Sequence, residues 1–524
     1  MNRTSITPEV CRDVSGAPPA GAGGAAYELL SKAPAHLRGR IVAGMRWTLW
    51  LSIPAVPFSF GTTILLARAG PQVIGTYGLL MVYIGVVSSL FYLGGDAVSI
   101  KFIPELSGEQ RGPFLASYLL ILLASLIPWL VLATSWPRGL HYLFGEQGSS
   151  SFPFLVLCLS PIYLCFALVV AALKAELEMR WAQVMMRTLT IGTFLVYLVL
   201  FLGLRRVLVV HYTGVIWGVY LTLTALAFVI GFRHLRRLGG WEFRWRSLRI
   251  FLPRGFWKYT LATQAVSGLG FLLQRLDLIL VLNFGGLVVL GKYVAIISLA
   301  GLIPVGNGFF LDTLLPSLTN LLASRNYAGA SQVYSMNLRT LFLVTMVGTS
   351  GLIFMVNPII MLLGSNYASL GSLFVVGVLL YGLSAPGAIG GTLLASVGKQ
   401  HRSVFVGVIQ LALFLSLFYA LWPRYQLLGV VLATGLSMAI SNFLLIQVAR
   451  YRNQVNFSFA RDYVAFAIAL IAAAILDLRL AKFGPSFPLL AWPAVVLLFC
   501  GLARYTMTEC RTLVSCFLPA RSSR

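Results

Sequence analysis

Residues 67–77 read Ala67-Arg68-Ala69-Gly70-Pro71-Gln72-Val73-Ile74-Gly75-Thr76-Tyr77, and the pattern inside them, G-x-x-x-x-G-x-Y, returns at Gly286-Leu287-Val288-Val289-Leu290-Gly291-Lys292-Tyr293. The copies are displaced by 216 residues, the distance from Gly75 to Gly291. Glycine permits the backbone of a tight turn, and tyrosine suits the interfacial start of the next helix. Weaker echoes follow in the same order. Ile103-Pro104-Glu105-Leu106 matches Leu315-Pro316-Ser317-Leu318, Leu173-Lys174 with Arg180 echoes Ser396 to Arg402, and Gly214-Val215 matches Gly429-Val430. A similar offset throughout predicts one unit used twice.

Working outward, both loops lie between apolar stretches of about 20 residues, the length that crosses roughly 30 Å of hydrocarbon as a helix. Such stretches recur at 43–67, 76–99, 113–134, 152–173, 184–204, 212–232, 259–285, 291–316, 340–363, 369–396, 403–422, 427–449, 463–477 and 486–504. Hydrophobic residues make up 58% of the 524 and charged residues 10%. Mean hydropathy is +0.87, which excludes a soluble domain. The predicted fold is an all-α polytopic membrane protein of about fourteen spans. Two pseudo-symmetric six-helix lobes (41–232 and 259–450) insert the same way up, because six is even. A tail (1–40), a linker (233–258) and two extra helices with a second tail (451–524) complete the chain.

A net charge of +24 could suggest nucleic acid, but its placement argues for topology instead. With the N-terminus inside, 30 of the 39 Lys and Arg fall in the tails and even-numbered loops, eight in the odd-numbered loops, and Arg275 inside a span. Cytoplasmic loops collect Lys and Arg, so both termini are expected in the cytoplasm and no nucleic-acid partner is expected. The six cysteines show no metal-ligand spacing and no disulfide framework. Neither a metal nor a cofactor is expected. Residues 1–40, rich in Gly, Ala and Pro, lack the apolar core of a signal peptide and read as a disordered tail. The linker carries eight basic residues against Glu242, interleaved with Trp241, Phe243, Trp245 and Trp257. It reads as an amphipathic segment on an anionic leaflet, which makes membrane lipids a partner.

Two six-span lobes, the A-R-A-G-P-x-x-x-G-x-Y loop, the I-P-E-L segment, the basic linker and Leu393-Leu394-Ala395-Ser396-Val397-Gly398-Lys399 together resemble a known family. It is the Wzx-type polysaccharide and oligosaccharide flippases of the multidrug/oligosaccharidyl-lipid/polysaccharide (MOP) exporter superfamily. The resemblance spans roughly residues 43–452. Fourteen spans exceed the twelve usual in that branch and resemble the peptidoglycan-precursor flippases, which also carry two extra C-terminal spans. The resemblance implies a secondary transporter in the inner membrane, working by alternating access between the lobes. Its substrate would be a polyprenyl-pyrophosphate-linked oligosaccharide, turned from the cytoplasmic to the outer leaflet for surface polysaccharide assembly. Glycosyltransferases and a polymerase of the same pathway would be its company.

The task itself narrows the candidate residues. A sugar–pyrophosphate headgroup needs a polar path with cationic groups, and a charge in mid-bilayer costs about 2.5–3.5 kcal/mol, so it marks function. Span seven contains Gln274-Arg275-Leu276-Asp277. Guanidinium suits phosphate because its planar fork donates bidentately. Arg275 is expected to bind the pyrophosphate, with Gln274 nearby, and Asp277 to position it or carry a coupling proton. At i,i+2 the two charges point about 200° apart, so at least one needs a partner on another helix. The plain alternative is a structural ion pair between helices. Arg46, at the start of span one, could meet the substrate or anchor the helix. Asp96 and Asp312, again 216 apart, are gate or coupling candidates at the cytoplasmic ends of spans two and eight, where helix-end solvation is the simpler account. Gln264, Asn283 and Asn307 are polar lining candidates.

An integral-membrane enzyme would want acidic, His or metal-ligating residues on a sizeable loop. Five histidines and 15 acidic residues leave little material for one, and no H-E-x-x-H, P-loop or nucleophile elbow is present. The chain is therefore expected not to be an enzyme, and transport to be gradient-driven. A multidrug or cation antiporter of the same superfamily is the alternative. It would favour acidic residues in the cavity, whereas this chain places an arginine mid-span.

Overall fold

The computed structural model describes residues 35–136, 138, 141, 155–238, 251–303, 314, 318, 321–322, 326–397, 399–451, 455, 457–480 and 487–505. Among them are helices and no strand. The first half holds α1 (Ala35–Ala69), α2 (Pro71–Val86, extended by a π turn Val87–Phe91), α3 (Gly95–Phe102), α4 (Gly108–Ala124), α5 (Leu126–Ser135), α6 (Ser160–Ala175), α7 (Met179–Gly203), α8 (Arg205–Val210) and α9 (Tyr212–Arg237). The second holds α10 (Phe256–Ala300), α11 (Tyr327–Phe354), α12 (Val356–Leu363), α13 (Gly371–Ser384), α14 (Ala388–Ser396) and α15 (Gln400–Arg450), followed by α16 (Ala460–Leu480) and α17 (Phe487–Ala503).

Among the described residues, ten helical segments are long and apolar enough to cross a membrane. Large apolar side chains stay exposed on their outsides, Val199, Leu202 and Leu497 by two thirds or more. In water such a surface would invite aggregation; in a bilayer it is the face solvated by acyl chains. The chain is an all-α, multi-pass membrane protein.

Two of the ten segments are folded double. In α10 the Tyr293 hydroxyl lies 2.6 Å from the Asp277 carboxylate, although sixteen residues of continuous helix would hold them roughly 24 Å apart. The chain turns back at Gly286, whose φ of 72° and ψ of −178° suit glycine alone. In α15 the turn falls at Gln426 (φ 45°, ψ −116°), and Gly429 returns to pack against the Leu421 backbone. With these reversals, and with α1 and the shorter α17 at the ends, described helix falls within each of the fourteen expected stretches. Of the expected eighth span, 291–316, the continuously described part ends at Ile303. Between the halves, α9 reaches Arg237 and α10 begins at Phe256, so helix extends into both ends of the expected 233–258 linker. Residues 239–250, which hold three of its eight basic residues together with Trp241, Phe243 and Trp245, lie outside those described.

The repeat read from sequence becomes a pseudo-twofold axis. A Cβ on Gly75 would overlap the carbonyl oxygen of Leu287, and a Cβ on Gly291 would overlap the carbonyl oxygen of Pro71. Gly75 and Gly291 are 216 residues apart, and so are Pro71 and Leu287, so the two contacts are one contact seen from each side. Gly78 meets Val294, its own counterpart, and the axis therefore passes between them. Close helix approach over small residues is how helices associate in lipid, where burying apolar surface gains little. Within each half the pairing also repeats: Gly61 of α1 packs on Phe194 of α7, and Gly407 of α15 packs on Leu269 and Leu273 of α10.

Helix ends sort by charge. Lys101, Arg111, Lys174, Arg180, Arg237, Lys258, Arg402 and Arg450 lie at ends on one side, the basic face; Arg68, Arg205, Lys292 and Arg424 lie at turns on the opposite face. On the basic face a clasp fastens α16 and α17 to α11. The buried Asp462 carboxylate sits 3.5 Å from Arg339 and 3.6 Å from Arg461. The Tyr505 hydroxyl donates to the Arg339 carbonyl at 2.6 Å while Arg339 lies over its ring.

Candidate functional site between the lobes

Arg275 stands eleven residues before the Gly286 turn, roughly 16 Å along the helix and thus near the middle of a 30 Å hydrocarbon layer. Its side chain runs against α2 of the other lobe: Cγ lies 3.2 Å from where a Cβ on Gly85 would be. The missing Cβ makes the space. Arg275 lies within electrostatic range of Tyr77 of α2, of Tyr381 of α13 and of Asp277 on its own helix. It is half-buried and makes no hydrogen bond or ion pair among the described residues. A cation is therefore held against the other lobe, with no acceptor for its donors among the described residues.

Asp277 turns the other way, into its own lobe. It is 6% exposed. One carboxylate oxygen accepts from the Tyr293 hydroxyl at 2.6 Å and the other from the Leu278 amide at 2.8 Å. Thr434 of α15 lies 3.1 Å from the same tyrosine hydroxyl. Beside them is a cavity of about 10 Å3, walled in part by Gln410, Thr434 and Ser437, room for about one water molecule. No ion pair joins Arg275 and Asp277 among the described residues, although the arginine charge acts on the carboxylate.

The other expected residues divide. Gln274 is exposed and Asn283 bonds back to the Ile279 carbonyl of its own helix. Asp96 pairs with Lys174 of α6, a partner in its own lobe, so this contact ties the lower half of the second span to the fourth. Arg111 and Glu176, 2.6 Å apart, lie in the same lobe. The side chain of Arg46, and the whole of Asp312 and Asn307, lie outside the described residues.

Gln264 does more than the sequence suggested. The second span breaks between its π turn and Gly94, which has φ 76°. A broken helix at membrane depth must find other partners for its freed backbone groups. Here the Gln264 amide, from the first pass of α10, donates to the carbonyls of Ser89 (2.5 Å) and Leu90 (3.2 Å) and accepts from the Gly94 amide (3.0 Å). Ser125 covers the Phe91 carbonyl at 3.2 Å and Tyr118 covers that of Leu93. One lobe thus completes the backbone of the other. The signal was the Gly94-Gly95 pair inside an expected span.

Around this bond the lobes meet closely on the basic face. Phe256 of α10 sits 5.6 Å from Tyr118 and 6.1 Å from Phe102, ring centre to ring centre. Lys101 lies over the Tyr259 ring at 4.1 Å, and the Phe251 amide donates to Ser117 at 2.9 Å. On the opposite face Arg68 Nε donates to the Leu362 carbonyl at 2.6 Å, and the Gly75–Gly291 contact closes α2 on the second pass of α10. Interlobe contacts therefore lie on both sides of Arg275 along the helix.

Solved structures share this arrangement. A lipid II flippase MurJ in an inward closed conformation superposes with a TM-score of 0.67 at 14% identity, covering 89% of this chain and 99% of that one. An inward-facing multidrug resistance MATE family transporter of the MOP superfamily gives 0.62 at 12% identity, covering 76% and 94%. An outward-facing multidrug resistance MATE family transporter of the same superfamily gives 0.53 at 14% identity, covering 79% and 94%. The chain has the fold of the MOP-superfamily transporters. No protein-family model matches the sequence, and no curated protein does.

Proposed function

We propose that this protein is a secondary transporter that turns a polyprenyl-pyrophosphate-linked oligosaccharide from the inner to the outer leaflet of the cytoplasmic membrane, supplying surface polysaccharide assembly. The basic face, with both termini, is the cytoplasmic one in this reading. The observation that carries it is Arg275: a guanidinium near the membrane midplane, between the lobes, whose donors are not taken by the described protein. A neutral path would not retain such a group, since holding it there costs about 2.5–3.5 kcal/mol. A pyrophosphate offers it two bidentate acceptors.

The interlobe bonds supply the gates. Releasing Gln264 and the Phe102–Phe256–Tyr259 cluster opens the basic face to the headgroup; releasing Arg68 and the Gly75–Gly291 contact opens the other. Asp277, bonded inside its own lobe, is the coupling group, because a change in its charge alters the bond that holds the α10 hairpin together. Neither step needs a nucleotide. The second reading, a drug or cation antiporter, is favoured by that same buried carboxylate beside Thr434, Ser437 and Gln410.

Leaflet inversion of a fluorescent lipid-linked oligosaccharide in proteoliposomes tests the proposal. Headgroups should become accessible from the far side at a rate that tracks active protein and an imposed ion gradient. Headgroups that stay unreachable, while an organic cation is exchanged for protons, would establish the antiporter instead.

A further inference from the structure

A cavity on the basic face lies away from the lobe interface, where the two passes of α15 begin and end. Among the described residues it is lined by His401, Arg402 and Phe405 at the start and by Gln447, Arg450 and Tyr451 at the end, and encloses about 960 Å3. That is at the upper end of the roughly 300–1,000 Å3 of ordinary small-molecule sites. Arg402 gives one bond to the Tyr451 carbonyl, 3.2 Å, which draws the two ends together. Arg450 and His401 make no side-chain hydrogen bond or ion pair among the described residues, and no carboxylate lines the cavity there. The first turn of α15 opens into the same corner with no side chain capping its amides, so backbone donors and the positive helix end add to the two arginines.

The flank of the cavity is apolar. Phe405 is 66% exposed and Val408 51%, one turn apart on the first pass, and Val404 is 38% exposed beside them. Tyr451, 63% exposed, marks the interfacial level. Cationic donors at headgroup depth, with an apolar track running from them into the hydrocarbon, are two halves of one ligand. We infer that this corner of α15 binds the phosphate of an anionic phospholipid in the leaflet on the basic face, its acyl chains lying along Val404, Phe405 and Val408. A soluble phosphate would engage the arginines alone and make no contact with the apolar track beside them. The site is independent of what the lobes transport.

The test uses the full chain in neutral detergent, titrated with phosphatidylglycerol, phosphatidylcholine or inorganic phosphate and followed by thermal unfolding. Phosphatidylglycerol should stabilise it saturably; phosphatidylcholine and millimolar inorganic phosphate should not. The R402Q/R450Q variant should bind phosphatidylglycerol roughly thirtyfold more weakly, the loss of two basic contacts at a membrane surface. R205Q/R424Q, which removes two arginines at turns on the opposite face, should bind as wild type does. Equal responses from the two double variants, or stabilisation by inorganic phosphate alone, would overturn the inference. Should R402Q/R450Q not fold, a photoreactive phenylalanine analogue at position 405 decides the matter in mixed vesicles. It should label phosphatidylglycerol in preference to phosphatidylcholine, and labelling in proportion to abundance would refute the site.

Discussion

Arg275 and Asp277, two residues apart on α10, serve opposite lobes: the arginine stem packs on Gly85 of α2, and the carboxylate bonds Tyr293 within its own half. Helical geometry forces the separation, since i and i+2 point about 200° apart. The two charges are therefore separable by mutation, one at the interface and one in the interior of a lobe.

Arg275→Ala should abolish leaflet inversion, and Arg275→Lys should retain on the order of a tenth, because a bidentate charged contact contributes about 1.5–3 kcal/mol. Both variants should unfold near the wild-type temperature, since Arg275 gives up no bond seen among the described residues. Full inversion by the lysine variant, or unfolding far below wild type in both, would make Arg275 a structural residue.

Tyr293→Phe takes from Asp277 its only side-chain donor among the described residues and leaves a buried carboxylate on one backbone amide. The expected loss is about 1–3 kcal/mol of stability, with less for Thr434→Val, which touches the tyrosine only at 3.1 Å. A double-mutant cycle of Asp277→Asn with Tyr293→Phe should be non-additive by about 1 kcal/mol. In transport, Asp277→Asn should leave inversion insensitive to an imposed ion gradient. A gradient response equal to wild type would remove Asp277 from coupling.

Much of this was legible in the sequence, for identifiable reasons. Membrane spans announce themselves because every backbone group in lipid must bond within its own helix, which needs about 20 apolar residues in a row. The duplication was legible because Gly75 and Gly291 each face a backbone carbonyl that no Cβ could approach, so both copies need glycine at the same place. Arg275 stood out as a cation inside a span. What the sequence could not convey was pairing across distance. Gln264 bonds backbone atoms of residues 89, 90 and 94, about 170 positions away, and a backbone partner leaves no side-chain signature. Asp96 was equally mute about Lys174, since ionic partners 78 residues apart share no local pattern.

Gln264→Leu keeps the bulk of the side chain and removes its three bonds to the second span. Those bonds exist only while the lobes meet on the basic face, so their loss penalises that state alone. About 2 kcal/mol of differential stabilisation moves the equilibrium roughly 30-fold towards a basic face that is open. Spin labels at Lys101 and Lys258 should report a longer distance in the variant, and the Gly94 amide should exchange faster. An unchanged distance distribution would mean that the aromatic cluster alone sets the closure.

Gly75→Ala and Gly291→Ala should act as one mutation made on either side of the axis. Each new methyl group meets a backbone carbonyl, Leu287 or Pro71, and a carbonyl within a packed helix cannot swing aside as a side-chain tip can. The second and eighth spans must separate there, with a loss of about 1–3 kcal/mol as for overpacking elsewhere. The loss falls on the state closed at the opposite face, so each variant should raise the reactivity of a cysteine placed at Val73. Because the first substitution already parts the helices, the second adds little, and the double variant should be clearly less destabilised than the two losses together. Full additivity would show two independent contacts, and the pseudo-twofold pairing of the lobes at this point would have to be abandoned.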